Sequence, residues 1–428
     1  MRRLSIAILG IICLSGSAWG QTPAADQAEL VSTLLERIDK LEKRVADLES
    51  KAACSSAPCE PEARVVAVSQ AALGPGNDAA AHAGAHAAAL LPGQAQQGAP
   101  VGEQQSAFPS MQIRGFTDVN FAATDQPGTF SGFNLGQFVL HISSPLSRKI
   151  TYFGETSFSA QPSGYNLEIE RSLIRYDYND YFKLSFGKYH TPINYWNTAF
   201  HHGLWLQTTI SRPEMIQFGG RFLPVHFVGL LGEGAIPSTS AGLNYQIGIG
   251  NGRAANLARA GDSGDVNNNR AWVMNVFSRP ERVRGLQVGA SLYGDDITSG
   301  TPPRTQELIS SAHILWLRET PEVLAEFANV RHHIPQTGQT FNSQGYYIQV
   351  AYRLPWLERK WKPYFRFEHM HVPAGEPVLQ VPNFVGATLG VRYDISEFGA
   401  FKTEYRNTER GTNQPRFNGL FVQTSFTF

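Results

Sequence analysis

The chain has 428 residues, 17% of them charged, and its 36 Lys and Arg are balanced by 36 Asp and Glu, so it lacks the basic excess of a nucleic-acid-binding surface. Mean hydropathy is slightly negative, at −0.23, and the one long apolar run lies at the N-terminus, which excludes a bundle of membrane-spanning helices. A transmembrane β-barrel is not excluded, because its alternating strands average to a soluble-looking hydropathy.

Arg2 and Arg3 followed by the apolar residues 4–14, with Ala18-Trp19-Gly20 before Gln21, predict a secretory signal peptide over residues 1–20. Cys13 follows Ile12 rather than a small residue, so no lipid anchor is expected. Cys54 and Cys59 are the only other cysteines, a usage that points outside the cytoplasm.

Residues 21–50 contain a heptad run. Val31, Ile38 and Val45 occupy one seam position, and Leu34, Leu41 and Leu48 the other. Arg37 with Glu42, and Arg44 with Glu49, have the spacing of pairs that bridge neighbouring helices. β-branched residues at the first seam and Leu at the second favour two strands by themselves. The runs 37–42 and 44–49 resemble a trimer-specifying pattern, and a three-stranded coil is the expectation; a lone amphipathic helix is the alternative. Residues 51–107 are rich in Ala, Gly, Pro and Gln without periodicity and read as a disordered linker. Within it, Cys54 and Cys59 either form a small local disulfide or are spaced so by chance, and His82 and His86 read as solvated.

From residue 108 to 428 the pattern becomes period-two alternation broken at regular intervals. It predicts an all-β, sixteen-stranded antiparallel transmembrane barrel. The strands fall near 111–123, 132–143, 149–159, 166–178, 181–189, 220–232, 240–250 and 270–279. The rest fall near 285–295, 305–317, 321–332, 343–354, 361–372, 384–395, 398–408 and 416–428. In 362–368, apolar residues take one face and Lys362, Arg366 and Glu368 the other; Lys402, Glu404 and Arg406 share a face later.

Three features favour a membrane barrel over a soluble sandwich. Short connections (145–148, 179–181, 279–284, 318–321, 355–360, 396–398) alternate with longer ones (124–131, 190–219, 251–269, 296–304, 333–342, 373–383, 409–415). An even strand count leaves both barrel ends on the side of the N-terminal coil. The last strand ends on Phe428, with Phe426 and Val422 on its face, resembling the C-terminal signal by which outer-membrane barrels are recognised for insertion.

With these features, Phe186-Gly187-Lys188, Thr191-Pro192-Ile193 and Arg212-Pro213-Glu214 resemble the elements of bacterial trimeric porins, in particular the phosphate-selective porin O and P group. The resemblance implies an outer-membrane location with a periplasmic coiled coil, a homotrimer in outer-membrane lipid, and passage of small hydrophilic solutes without a cofactor.

Residues 190–219 carry two Trp, three His and few Ser or Gly, so they are expected to fold inward and set the aperture. Trp196, Phe200, Trp205 and Leu206 are expected to pack on the wall. His190, Asn194, His201, His202, Gln207, Arg212 and Glu214 would line or brace the constriction. Wall charges Arg114, Glu155, Arg175, Arg366, Glu368, Arg392 and Arg406 would face it in rows of both signs. From Pro109 onward there are 28 Lys and Arg against 25 Asp and Glu, and acids such as Asp118, Glu170 and Glu404 interrupt a basic ladder. A general diffusion porin is therefore the reading, with an anion- or phosphate-selective channel and a plugged, structural barrel as alternatives.

Other constellations carry less. His190, His201 and His202 are metal-ligand types, but hydrogen-bonded anchors of a packed loop explain them too. Asp262, Asp265 and Asn267 loosely resemble a calcium loop without EF-hand spacing. Gly261-Asp262-Ser263-Gly264 has no His-Asp partners placed by the pattern, and no enzyme activity is expected.

Overall fold

The structure, a computed structural model, describes residues 109–428 except 130, 239, 254–256, 258–260 and 299–303, together with Lys40 and Lys43. The expected signal peptide, coiled-coil seam and linker lie outside the described residues; Lys40 and Lys43 themselves are helical and exposed.

Sixteen strands follow one another. They are β1 (Gln112–Thr124), β2 (Gly132–Pro145), β3 (Ile150–Gln161), β4 (Gly164–Asn179), β5 (Phe182–His190) and β6 (His226–Ala235). Next come β7 (Leu243–Gly250), β8 (Ala271–Ser278), β9 (Leu286–Ile297), β10 (Thr305–Leu317) and β11 (Glu322–Ile334). The last are β12 (Gln339–Ala351), β13 (Trp361–His371), β14 (Phe384–Ser396), β15 (Gly399–Arg410) and β16 (Arg416–Thr427). Each pairs antiparallel with its sequence neighbours, and β1 pairs with β16, so the sheet closes on itself and has no free edge. At the seam Gly115 and Phe428 exchange backbone hydrogen bonds of 2.9 and 3.1 Å. A Cβ on Gly115 would lie 2.4 Å from the Phe428 ring, so a larger residue there would have to displace that ring.

Alternation sorts side chains inside out relative to a soluble protein. Phe133, Leu167, Phe186, Ile249, Ile314 and Leu389 point outward and are more than half exposed. Glu155, Lys402, Arg366, Glu326 and Glu404 point inward and are almost wholly buried. An apolar belt this extensive far exceeds the scattered apolar exposure of soluble monomers.

Two expected boundaries move. The strand expected at 220–232 is β6 at His226–Ala235, because Phe222, Leu223 and Val225 are buried on the inner wall instead of alternating. The loop expected at 333–342 is the end of β11, a turn over 335–338 and the start of β12. Gln339, Thr340 and Asn342 are polar and exposed, so hydropathy does not alternate there. That connection and the two-residue turn 162–163, with the longer connections 236–242 and 352–360 on the other side, make exceptions to the long-short alternation.

Two register shifts matter. On β4, Glu155 pairs with Arg171 but Thr156 with Ile169, which leaves Glu170 as the extra residue. The bulge turns both Glu170 and Arg171 to the inside and reverses the parity: Leu167 and Ile169 face out before it, Ile174 and Tyr176 after it. On β1 the pairing slips at Asp118, whose carboxylate accepts the Gln137 N–H at 2.9 Å.

Candidate functional site

The candidate site is the connection from β5 to β6, residues 191–225, slightly longer than the expected 190–219. It leaves the wall through a narrow neck: Thr191 N–H donates to the Val225 carbonyl at 3.0 Å, and Asn197 Nδ2 donates to the carbonyls of Thr191 and Val225. Just before it, Gly187 has φ of 138°, and a Cβ would meet the Ser172 carbonyl at 2.1 Å.

The chain then turns across the lumen. Asn194 adopts φ of 58°, which Asn tolerates, and its N–H donates to Ser291 Oγ on β9 at 3.0 Å. A short helix α1 (Trp196–Phe200) follows, and the Tyr195 and Trp196 N–H groups both donate to Glu326 Oε1 on β11, at 3.1 and 2.7 Å. A wall carboxylate thus satisfies two of the helix's orphan donors. Trp196 is wholly buried, edge-on to Phe200 and Tyr347, and Ile193, Met215, Ile216 and Phe222 join the same core. Each such side chain contributes roughly 1.5–3 kcal/mol by leaving water. Leu206 packs against this core, and Trp205 is only partly buried, with Arg392 near its ring.

Beyond α1 the segment is fastened to β11–β15 by charged side chains. Arg366 donates to Thr209 Oγ1 (3.1 Å) and to the carbonyls of Ser211 (2.8 Å) and Arg212 (3.1 Å), while its Nε meets Glu368 Oε1 at 2.9 Å. Glu404 accepts the Ile210 N–H at 2.6 Å, and Glu368 the Glu214 N–H at 2.5 Å. Arg392 donates to the carbonyls of Trp205 and Gln207 at 2.6 and 3.0 Å, and Lys402 to those of Leu204 and Thr209. Glu322 accepts from Thr208 Oγ1 at 2.8 Å, and Glu214 is clasped by both Arg410 terminal nitrogens.

On the opposite side, β2–β6 present a carboxylate–histidine cluster. Glu170 Oε2 lies 2.8 Å from His226 Nε2 and 3.7 Å from His201 Nε2, and its Oε1 lies 3.0 Å from His202 Nε2. His201 and His190 stack at 3.9 Å. Glu155 sits 3.4 Å from His190 Nε2 and 2.9 Å from His141, and is paired with Arg171. Burial, then the Arg212 guanidinium and His202, hold the His201 imidazole well below its ordinary value, so it is neutral at pH 7.

Several expected lining residues take other places. Arg212 lies inside the segment: it donates to the His201 carbonyl and at 2.8 Å to the Ile216 carbonyl, and covers the Phe218 ring. Burial pushes it down to about 9, against the pull of Glu170. Gln207 closes a local turn onto the Ile210 carbonyl. Arg175 pairs with Asp177 and Glu233, and Arg114 is exposed at the start of β1; neither has a bond to the segment. Apart from Arg114, the expected wall charges bond to the segment or to one another. Of the calcium candidates, Asp262 pairs with Lys188 at 2.8 Å, Asp265 with Arg270 at 3.2 Å, and Asn267 donates to the Asp296 carbonyl.

Sequence reasoning missed Glu170, His226, Glu326 and Lys402 as site residues. Lys402 was on a recognisable inward face, but its partner carbonyls are 193 and 198 residues away. Glu170 is hidden by the bulge, and His226 by the misplaced start of β6.

A cavity of about 1190 Å3 remains between the segment and the wall formed by β1–β3 and β15–β16. Asp118, Gln137, Gln423 and Arg406 line it from the wall, and Leu204, Ser211 and Phe218 from the segment. Arg406 stays close to Glu404, at 2.7 Å, and over the Phe421 ring.

No protein-family model matches the chain, and no curated protein matches it in sequence. Solved structures do match in fold. The anion-selective porin of Comamonas acidovorans aligns over 75% of this chain and 100% of its own, with TM-score 0.57 and 11% identity. OmpF of Salmonella typhi in complex with daunomycin aligns over 74% and 97%, with TM-score 0.55 and 9% identity. The outer-membrane channel DcaP of Acinetobacter baumannii aligns over 76% and 99%, with TM-score 0.51 and 11% identity. At these identities the likeness is one of fold.

Proposed function

We propose that this chain is an outer-membrane porin through which small hydrophilic solutes and ions diffuse passively. The observation that carries it is the combination of an apolar outer belt with a polar lumen narrowed, along one wall, to the cavity beside the inward segment. Residues 191–225 set the aperture, and the passage follows β16, β1, β2 and β3. Four arginines (Arg212, Arg221, Arg406, Arg410) and two carboxylates (Asp118, Glu214) line the cavity, which biases it toward anions by net charge. Since Arg410 holds Glu214 and Arg212 is bound within the segment, this is a modest field and not a phosphate-binding ladder. Three barrels associate, helped by a coil built on Val31, Leu34, Ile38, Leu41, Val45 and Leu48.

The test is a planar-bilayer recording of the full-length protein, with reversal potentials in a salt gradient. Discrete, ohmic steps with mild anion preference are expected. A silent bilayer would establish the plugged, structural barrel instead. A monomer in native mass measurement would remove the trimer.

A further inference from the structure

The histidine cluster under the neck of the segment holds more ligating groups than hydrogen bonding uses. The Nε2 atoms of His190, His201, His202 and His226 and the Oε2 of Glu170 are all buried without a hydrogen bond of acceptable geometry. His190, His201 and His202 are 7, 3 and 2% exposed. Orphaned polar atoms at that depth are costly, and these fall into two overlapping groups that share His201. The ligand atoms of His190, His201 and His226 lie within 4.8 Å of one another, as do those of Glu170, His201 and His202.

We propose that His190, His201 and His226, with Glu170 Oε2 as the fourth donor, bind one divalent ion of the zinc, cobalt, nickel or copper class. Three neutral imidazoles and one carboxylate suit borderline metals, whereas calcium and magnesium take oxygen ligands. The edges of the site have the right size: Glu170 Oε2 stands 2.8 and 3.7 Å from the Nε2 atoms of His226 and His201. Four-coordinate bonds of about 2.0–2.1 Å need donors roughly 3.3 Å apart. His190 Nε2 completes the set by rotating from Glu155, now 3.4 Å away.

The surroundings supply the outer shell. His201 Nδ1 is paired with Asn197 Oδ1 at 2.9 Å, which directs Nε2 to the centre. His202 positions the other Glu170 oxygen from 3.0 Å and is itself fixed by Gln137. A second cavity, of about 300 Å3 and lined by Glu168, Asp262, Lys188 and His226, gives an approach to the least buried ligand. Two ligands come from strands β5 and β6 and a third from the segment, so the ion would staple residue 201 to the wall. That consequence for the aperture rests on the porin reading; the binding does not.

The test uses the full chain, folded in detergent, stripped with a chelator and titrated with Co(II) followed by its visible absorption, with Zn(II) as competitor. One ion per chain with a four-coordinate spectrum is expected, displaced by Zn(II). His226→Gln and Glu170→Gln should each weaken binding at least tenfold, and His333→Ala should leave it unchanged. Heat-modified mobility on gels reports folding of each variant, and His226 is partly exposed, so its variant is the one to rely on if Glu170→Gln does not fold. Substoichiometric binding by the folded parent, or equal affinity in folded His226→Gln, overturns the proposal. Either result leaves the conductance recordings, and so the porin reading, untouched.

Discussion

The two sides of the lumen hold the same segment by different means. On β11–β15 the anchors are Arg366, Arg392, Lys402, Glu326, Glu368 and Glu404, which spend their charge on backbone N–H and C=O groups of the segment. On β4–β6 the anchors are imidazoles gathered on Glu170, with nitrogens left over. On the first side the arginines, Lys402, Glu368 and Glu404 each meet an opposite charge or several peptide dipoles in a water-poor interior, although Glu326 Oε2 there is also left without a partner. Backbone partners also make that side indifferent to the identity of many segment side chains. The second side depends on a few specific residues, and this difference is what mutations should expose.

The largest effect should come from removing both anchorages together. Replacing residues 193–210 with a short Gly-Ser bridge deletes α1 and the partners of Glu326, Lys402 and Arg392. Single-channel conductance is expected to rise severalfold, and liposome swelling should admit larger sugars. Unchanged conductance would place the constriction elsewhere.

Breaking one side at a time comes next. Arg366→Ala orphans the Ser211 and Arg212 carbonyls and leaves buried Glu368 without its cation. Losing one partner of a buried charged pair costs about 3–5 kcal/mol. His202→Ala removes the Gln137 hydrogen bond, a 3.0 Å contact to Glu170 and the stack on Phe218, but Glu170 keeps Ser157 and His226, so no charge is left alone. Thermal unfolding in detergent should therefore fall further for Arg366→Ala, and its open-channel current should be noisier. A larger loss from His202→Ala would reverse the assignment of the stronger side.

Much of the barrel was legible because one rule, alternation with period two, governs every strand that faces lipid-like apolar surroundings on one side and charge on the other. The rule fails where its premise fails. At 339–342 polar residues occupy both faces, at 220–225 apolar ones leave the sheet, and at Glu170 an extra residue inverts the phase. The aromatic mass of Trp196, Phe200 and Trp205 announced an inward segment. Its wall partners were not readable, since Glu326, Arg392 and Lys402 meet it across 130 to 198 residues of sequence. Arg212 looks like a pore charge by type; its guanidinium instead donates to two carbonyls of its own segment and covers the Phe218 ring, contacts that no sequence pattern displays.

The cavity wall gives a smaller effect. Arg221 is exposed and lines the cavity, whereas Arg212 is buried. Arg221→Glu should move the reversal potential toward cations by more than Arg212→Ala does, and the shift should shrink as salt is raised, because exposed charges are screened within about 10 Å at 0.1 M. A larger shift from Arg212→Ala would mean that its guanidinium faces water.

The smallest effect lies at the turn end of the barrel, one ion pair removed from the segment's anchors Glu322 and Arg392. Between β10 and β11, Glu319 accepts from Arg353 Nε at 3.0 Å and from its terminal nitrogen at 2.9 Å, with Lys362 Nζ at 3.5 Å. Burial raises the Glu319 carboxyl, but Lys362 and Arg353 pull harder and bring it down to about 2. An unfolded Glu titrates near 4.3. Its folded value is depressed, so its contribution to stability is present above about 4.3 and is lost as pH falls from there toward about 2. The unfolding temperature in detergent should therefore drop across that window, and Glu319→Gln should show a shallower drop than the parent. Equal pH dependence in the two proteins would assign the acid-sensitive groups to the lumen, and so to the segment's anchors.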